Sequence, residues 1–411
     1  MQHLTIDGDR LWATLMRSAE IGPGKAGGLK RLAASDEDKK MRDQFADWCS
    51  DAGLIITVDR LGNMFARREG TEDNLPPVTM GSHLDTQYAG GRFDGILGVL
   101  TGLEIVRTLN DREIVTKRPI EVVNWTNEEG CRFSPSMCCS GAFAGVYDAD
   151  WVANREDDEG FKQGEELERI GYRGPSEVGG RNLDSYFELH IEQGPMLHAA
   201  GEFLGVVTKG AKTHGMHVDV QGVTSHAGPT PMMERHDALA GAARVIAAVN
   251  DIGLQYHNSG GRATASRVIA WPNKPGILAE WAQFSVDCRH PDPAIANAMR
   301  ADIEESIRQA ADKNMVTMEI VSRWEFGDET FSIDLSDLIR KHADAQGVKC
   351  RDMMSLAGHD AYYVSKVAPA VLIFSPCADG ITHNESESID LESTLPAVNV
   401  LLNSVVARAN R

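Results

Sequence analysis

Four short apolar runs of strand length, each leading into a loop with a histidine or carboxylate, constrain this chain more than any other feature. Residues 77–83 end at His83, with Asp85 two positions later. Residues 119–125 lead into Thr126-Asn127-Glu128-Glu129-Gly130, residues 186–190 end at His190, and residues 370–374 lead to the loop holding His383. Residues 95–109 place Ile96, Leu97, Val99, Leu100, Leu103, Ile105, Val106 and Leu109 at helical spacing. Residues 11–52 also read as helical, with a glycine-rich interruption at 22–28. Apolar strands alternating with helices predict an α/β fold, a mixed sheet with helices on both faces.

A chain of 411 residues exceeds what one hydrophobic core usually supports, so two domains are expected. Between about residues 211 and 327 the rhythm changes. Met216, Val218 and Val220 alternate with polar neighbours, as a half-solvated strand does. A helix over 237–249, strands over 265–271 and 282–288, a helix over 293–311 and a strand over 316–321 follow. The order βαββαβ is that of a split βαβ sandwich. The expected organisation is a catalytic domain in two parts, 1–210 and 330–411, with an inserted α+β domain over 211–329.

Composition narrows the function classes. Phosphate binding needs a basic face, so a net charge of −19 argues against a nucleic-acid partner. No uncharged stretch is long enough to span a bilayer, so no membrane partner is expected. Residues 1–10 carry Asp7, Asp9 and Arg10 without an apolar run, unlike a secretory signal. The seven cysteines show neither CxxC pairs nor regular spacing, so disulfides and a structural zinc site are not expected. A reducing cytoplasm is the expected location.

The loops after the strands carry the chemistry. His83 and Asp85 are two apart at a strand end, so both can point to one side, with Asp85 orienting the imidazole. Asp94 opens the next helix; an N-cap aspartate beside a chance histidine is the alternative. Glu128 and Glu129 repel each other, and a metal gives a reason for both: one binds the cation while the other accepts a proton from water. A solvated acidic turn is the plainer explanation. His190 and His383 complete the set; a lone histidine is more often surface or core than ligand, but four chance placements at strand ends strain that account. Ligands in open α/β sheets gather at the carboxyl ends of strands. Imidazole and carboxylate without cysteine suit zinc, manganese, cobalt or nickel.

At this point the chain resembles the metal-dependent amidohydrolases of the M20 peptidase clan, in the group of N-carbamoyl-L-amino-acid hydrolases, β-ureidopropionases and allantoate amidohydrolases. The resemblance rests on Gly81-Ser82-His83-Leu84-Asp85-Thr86-Gln87, Gly90-Gly91-Arg92-Phe93-Asp94-Gly95, Asn127-Glu128-Glu129-Gly130 and Leu189-His190-Ile191-Glu192-Gln193-Gly194-Pro195. The stretches His226-Ala227-Gly228-Pro229-Thr230-Pro231-Met232, Asp287-Cys288-Arg289-His290 and Ala357-Gly358-His359-Asp360-Ala361 add to it. It implies two divalent metal ions, zinc first. One would be held by His83, Asp94 and His190, the other by Asp94, Glu129 and His383, with Asp94 as the bridge. It also implies that Glu128 is the general base and then acid, and that His226 assists catalysis when the domains close. Gln193, His226, Asn273, Arg289, Gly358 and His359 would contact a small ureido acid, and the inserted lid domain would form a homodimer. Independently, the Arg289 guanidinium suits a carboxylate, whereas Asn273 equally suits a turn.

The chain also departs from the group's pattern. The 207–215 segment lacks the usual glutamine and aromatic residue, and Ser355-Leu356-Ala357-Gly358 replaces a more glycine-rich run. Asn384-Glu385 stands where a serine-proline pair is commoner, and Cys138-Cys139 is an unusual pair. The expected reaction is hydrolysis of an N-carbamoyl α-amino acid or β-alanine. Allantoate hydrolysis, an aminopeptidase or deacylase of the clan, and a catalytically silent binding protein are the rivals.

Overall fold

The computed structural model describes residues 3–411. It divides into two compact units. One comprises the described residues up to Thr208, with Thr330–Met353 and Gly358–Arg411; the other comprises Lys209–Glu329 and Met354–Ala357.

The first unit is built on an eight-stranded sheet. Its order is Ile55–Val58, Met64–Arg68, Ile120–Trp125, Val78–His83, Ser185–Ile191, Ala370–Ser375, Leu204–Gly210 and Cys350–Ser355. The four central strands run parallel, in registers that pair His83 with Trp125 and Phe374 with His190. Their carboxyl ends therefore reach a single rim. The outer pairings of Met64–Arg68 and Leu204–Gly210 are antiparallel, which makes the sheet mixed. These flanking strands, together with Cys350–Ser355, were not read from the sequence. The hairpin of Ile55–Val58 and Met64–Arg68 has strands too short to show a period, and its turn is tied by Asp59, which accepts from Leu61 N–H and Asn63 N–H.

Alternation along each central strand separates two faces. Val78, Met80, Ile120, Val122, Phe187, Leu189, Val371 and Ile373 join one continuous core with the helices Gly8–Ser18, Ile96–Asp111, Ile333–Ala345 and Leu391–Ala409. On the other face Trp125 meets Phe143 at 5.0 Å and Tyr186 at 6.2 Å, under the short helices Cys138–Phe143 and Asp360–Val364. Helices therefore cover both faces. The expected helical stretch over 11–52 is two helices, Gly8–Ser18 and Asp36–Asp51, capped by the side chains of Asp7 and Ser35.

The helix Ile96–Asp111 is buried nearly all round and lies against Val78–His83. Two of its glycines set that approach. A Cβ on Gly98 would fall 2.5 Å from the Leu189 carbonyl oxygen, and one on Gly102 would fall 2.9 Å from Val122.

The second unit is an antiparallel sheet backed by two helices, Ala238–Tyr256 and Pro293–Asn314, which pack on each other. Its strand order is Thr317–Phe326, Lys212–Gln221, Trp281–His290, and then two short strands that both pair with Trp281–His290. Those two strands, Arg262–Thr264 and Val268–Trp271, replace the single strand expected over 265–271. Between them Ala265, Ser266 and Arg267 face only Ser285 and Val286, so one residue bulges out of the pairing. The core of this unit contains Met216, Val218, Val220, Val245, Phe284, Val286, Met299 and Ile303. Among the described residues of the whole chain, no helix is long and apolar enough to cross a membrane.

Replacing Gly98 with valine forces the helix Ile96–Asp111 off the sheet. Urea unfolding should show a loss of roughly 1–3 kcal/mol, the usual cost of overpacking a filled interface. An unchanged midpoint and slope would mean that the helix has room to move.

Candidate metal centre

Each of the loops after the parallel strands delivers side chains to the rim. His83 closes its strand and is buried, and its Nδ1 lies 2.9 Å from the Asp85 main-chain oxygen. His190 repeats the arrangement, with Nδ1 2.9 Å from the Ile191 oxygen. A carbonyl can only accept, so both rings carry hydrogen on Nδ1 and turn Nε2 toward the same place. This corrects the expected part of Asp85. Its main-chain oxygen, not its carboxylate, fixes His83; the carboxylate oxygen is 3.9 Å from Nδ1. The carboxylate instead accepts from the main-chain N–H of Glu128 at 3.2 Å and of Glu129 at 3.3 Å. Asp85 thus aims the two glutamates, because the turn that carries them exposes N–H groups at the sheet rim.

Asp94 lies at the centre. Its Oδ1 is 3.0 Å from His190 Nε2 and 3.9 Å from His83 Nε2. Its Oδ2 is 3.4 Å from His383 Nε2, and that same nitrogen is 3.4 Å from Glu129 Oε2. The ligand atoms of His83, Asp94 and His190 all lie within 4.8 Å of one another, and so do those of Asp94, Glu129 and His383. One carboxylate therefore faces two donor sets with its two oxygens. The Glu128 carboxylate is 3.4 Å from His83 Nε2. Gly95, at φ +70°, makes the close turn possible: a Cβ there would meet the His83 ring at 2.3 Å.

The electrostatics fit divalent cations. Burial pushes the Glu128 and Glu129 carboxyls well above their ordinary range; Asp360 and Glu129 add repulsion at Glu128, and Asp94 and Asp85 at Glu129. Burial also lifts Asp85 to about 7 and lowers His83 to about 4. At His190 burial opposes protonation, yet the hydrogen bond to Asp94 outweighs it and raises the imidazole to about 9. So much buried negative charge needs a positive partner, and a metal ligand needs an Nε2 free of hydrogen, which His83 has and His190, sharing a proton with Asp94, does not. Cations in place of the shared proton satisfy both requirements.

The remaining expected residues fall in different places. Gln193 is at the rim, where its Nε2 donates to Asp94 Oδ2 at 3.0 Å, leaving its Oε1 buried without a partner. His359 is buried, with its ring edge-on to His190 at 4.5 Å and its Nε2 also unpartnered. Gly358 precedes it in the same loop. His226, Asn273 and Arg289 belong to the second unit. His226 is exposed and accepts from Gly228 N–H on Nδ1 at 3.0 Å, which leaves its ring hydrogen on Nε2. Asn273 has φ +51° in an exposed turn, which favours the turn reading. Arg289 donates to Asp287 through Nε at 2.8 Å and to the Leu356 oxygen through Nη1. Its Nη2 also lies 2.6 Å from Asp287 Oδ1, so each guanidinium nitrogen already has one acceptor.

Sequence reasoning missed three supports of the rim. Glu387 accepts from Phe93 N–H at 2.9 Å and Asp94 N–H at 3.1 Å, and a Cβ on Gly91 would collide with it. Arg31, fully buried, donates to the Leu84 oxygen and steadies the loop after His83. Gln87 donates to Glu129 Oε2 at 2.6 Å. Glu387 was legible as a carboxylate four residues after His383; Arg31 carries no local signal.

Peptidase family M20/M25/M40 matches residues 72–407. The chain belongs to the M20 family. An N-carbamoyl-L-amino-acid amidohydrolase of Rhizobium meliloti is 42% identical over 404 residues, covering 98% of this chain and 97% of that protein. The allantoate amidohydrolase of Bacillus subtilis is 28% identical over 382 residues, with 90% of each covered. Among solved structures, an amidase of the hydantoinase/carbamoylase family from Burkholderia vietnamiensis superposes with a TM-score of 0.96. It is 44% identical, with 99% of this chain and 98% of that one covered. M20 enzymes are metal-dependent, in keeping with the paired donor sets at this rim.

Gly95→Ala would drive a methyl group into the His83 ring. The variant, metal-loaded and dialysed, should retain less than half the bound zinc of the parent by elemental analysis. Full retention would mean that the loop can relax without moving His83.

Proposed function

We propose that this chain cleaves the ureido C–N bond of an N-carbamoyl amino acid, consuming one water and releasing the amino acid, carbon dioxide and ammonia. The observation that carries the reading is Asp94 shared between two histidine-carboxylate sets, with the Glu128 carboxylate beside them. Full-length similarity to an N-carbamoyl-L-amino-acid amidohydrolase supports the substrate class. The chain is accordingly a hydrolase of linear amides.

His83, Asp94 and His190 would hold one divalent cation, and Asp94, Glu129 and His383 a second, zinc being preferred by the donor set and manganese, cobalt or nickel also suiting it. When bound, such a pair supplies Lewis acidity for the carbonyl and lowers the pKa of water. Glu128 takes the proton from water and passes it to the leaving nitrogen; its burial keeps its carboxyl high enough to act as an acid in the second step. Asp85 aims Glu128 through the main chain. His226 offers Nε2–H to the oxygen where negative charge develops, and Arg289 offers its remaining donors to the substrate carboxylate. Gln193, Gly358 and His359 are assigned to the ureido group, supported by the unpartnered polar atoms of Gln193 and His359. Asn273 keeps a contact role beside its turn role.

A homodimer through the inserted lid domain, residues 211–329, is part of this proposal; exposed Leu254, Val268 and Trp271 support it. So is a cytoplasmic location, supported by seven free thiols. Allantoate is the second substrate reading, favoured by the Bacillus subtilis relative.

Steady-state kinetics of the zinc- or manganese-loaded protein with N-carbamoyl-L-methionine, N-carbamoyl-β-alanine and allantoate test the reading. Turnover should be highest on an N-carbamoyl amino acid and should disappear with chelator; no turnover of any ureido compound with any of the metals would sink it. Glu128→Gln should lower kcat by at least about a thousandfold, within the range of a lost general base, while bound metal is unchanged. Activity within tenfold of the parent would remove Glu128 from the mechanism.

A further inference from the structure

Of the five proposed ligands, His383 is the least supported by packing. Its side chain is 49% exposed, against 2% for His83 and 1% for His190. It also follows no strand directly, and its backbone sits at φ +50°, a left-handed conformation that a non-glycine residue holds only when its surroundings impose it. Its position must therefore come from hydrogen bonds on either side. On the N-terminal side, Thr382 Oγ1 lies 2.9 Å from Asp94 Oδ2 and 3.1 Å from Glu387, with one hydrogen to share between them. On the C-terminal side two carboxylates reach distant segments: Glu387, which holds the Phe93 and Asp94 main chain, and Glu385, which stands two residues nearer to His383.

The Glu385 carboxylate is received by main-chain N–H groups of the glycine loop near the start of the chain: Lys25 at 3.1 Å, Gly28 at 3.2 Å, and Ala26. Successive N–H groups converging on one anion form a nest that needs no cationic side chain. The loop is shaped for this carboxylate. A Cβ on Gly24 would fall 2.4 Å from it, and one on Gly28 would fall 2.6 Å from the Glu385 Cα and 2.3 Å from the Gly90 oxygen. The loop is in turn tied to the segment between His83 and Asp94. Leu29 and Gly90 exchange main-chain hydrogen bonds at 2.9 Å, and Thr86 N–H donates to the Arg31 oxygen at 2.9 Å. One loop thus grips both the segment bearing His83 and Asp94 and the segment bearing His383.

We propose that Glu385 is a positioning residue, docked in the Lys25–Gly28 nest so that His383 stays opposed to Asp94 and Glu129 before any metal binds. The proposal rests on the two-cation reading above. Its loss acts on one donor set, that of Asp94, Glu129 and His383, and leaves that of His83, Asp94 and His190 in place.

Calorimetric titration of the metal-free full-length protein with zinc chloride tests this, with His383→Ala identifying the binding step that belongs to His383. Glu385→Ala should weaken that same step at least tenfold, leave the other step within twofold, and keep the melting temperature of the metal-free protein within a few degrees. Glu385→Gln preserves length and one acceptor oxygen and should show a smaller loss in the same step. It also serves as the test if the alanine variant does not fold. Two unchanged steps in both variants would overturn the proposal, as would equal weakening of both steps, which would mean a general loosening of the fold. A parent protein that binds no zinc pair would instead remove the two-cation reading itself, so the two failures are distinguishable.

Discussion

Carboxylates are costly to bury unless each is paired, hydrogen-bonded or neutralised, and this chain buries Asp85, Asp94, Glu128 and Glu387 at the rim of one sheet. Asp94 is the point on which the arrangement turns. Its two oxygens face different histidines, and the groups around it either donate to it or hold the loops that do. Gln193 and Thr382 donate to Oδ2, Glu387 holds the Asp94 main chain, and Gly95 clears the space that His83 occupies. A lone carboxylate in that setting would pick up a proton; contact with His190 keeps it ionised instead.

The sheet explains why these groups meet. Parallel central strands send their carboxyl ends to one side, and the covering helices leave that end open for loops. The roles of the loops are divided. The main chain sets ring orientation through the Asp85 and Ile191 carbonyls, while side chains such as Asp85, Gln87 and Glu387 set the direction of the carboxylates. Glu128 is carried to the rim beside His83 by the turn after Trp125. Asn127 shapes that turn, adopting φ +55° and donating to the Phe133 oxygen at 2.7 Å.

Much of this was legible in the residues. The apolar runs ending at His83, Trp125, His190 and Phe374 marked the parallel strands, since a strand buried on both faces is largely apolar, even though Glu121 and Glu188 are buried within them. The helix over 95–109 was legible through its many apolar residues, since it is buried nearly all round. The flanking strands were harder. Ile55-Ile56-Thr57-Val58 is a β-branched run and carried a usable signal, but Cys350–Ser355 is half polar, with only two of its residues buried and no alternation, so it gave little. In the second unit the bulge at residues 265–267 was invisible, because a register slip depends on the partner strand and not on the slipping residues themselves.

Residue types and their order determined that this chain would build an α/β sheet with histidines and carboxylates at strand ends, since period, apolarity and donor chemistry are local properties. Only the tertiary structure decided which atoms face one another. It gave the orienting hydrogen bond of His83 to a carbonyl rather than to the Asp85 carboxylate, set Arg31 beneath the Leu84 loop, and joined Glu385 to a glycine loop some 360 residues earlier. All three contacts use main-chain N–H or C=O groups, and the last two join segments remote along the chain. Every residue carries such groups alike, so the sequence marks none of them in advance.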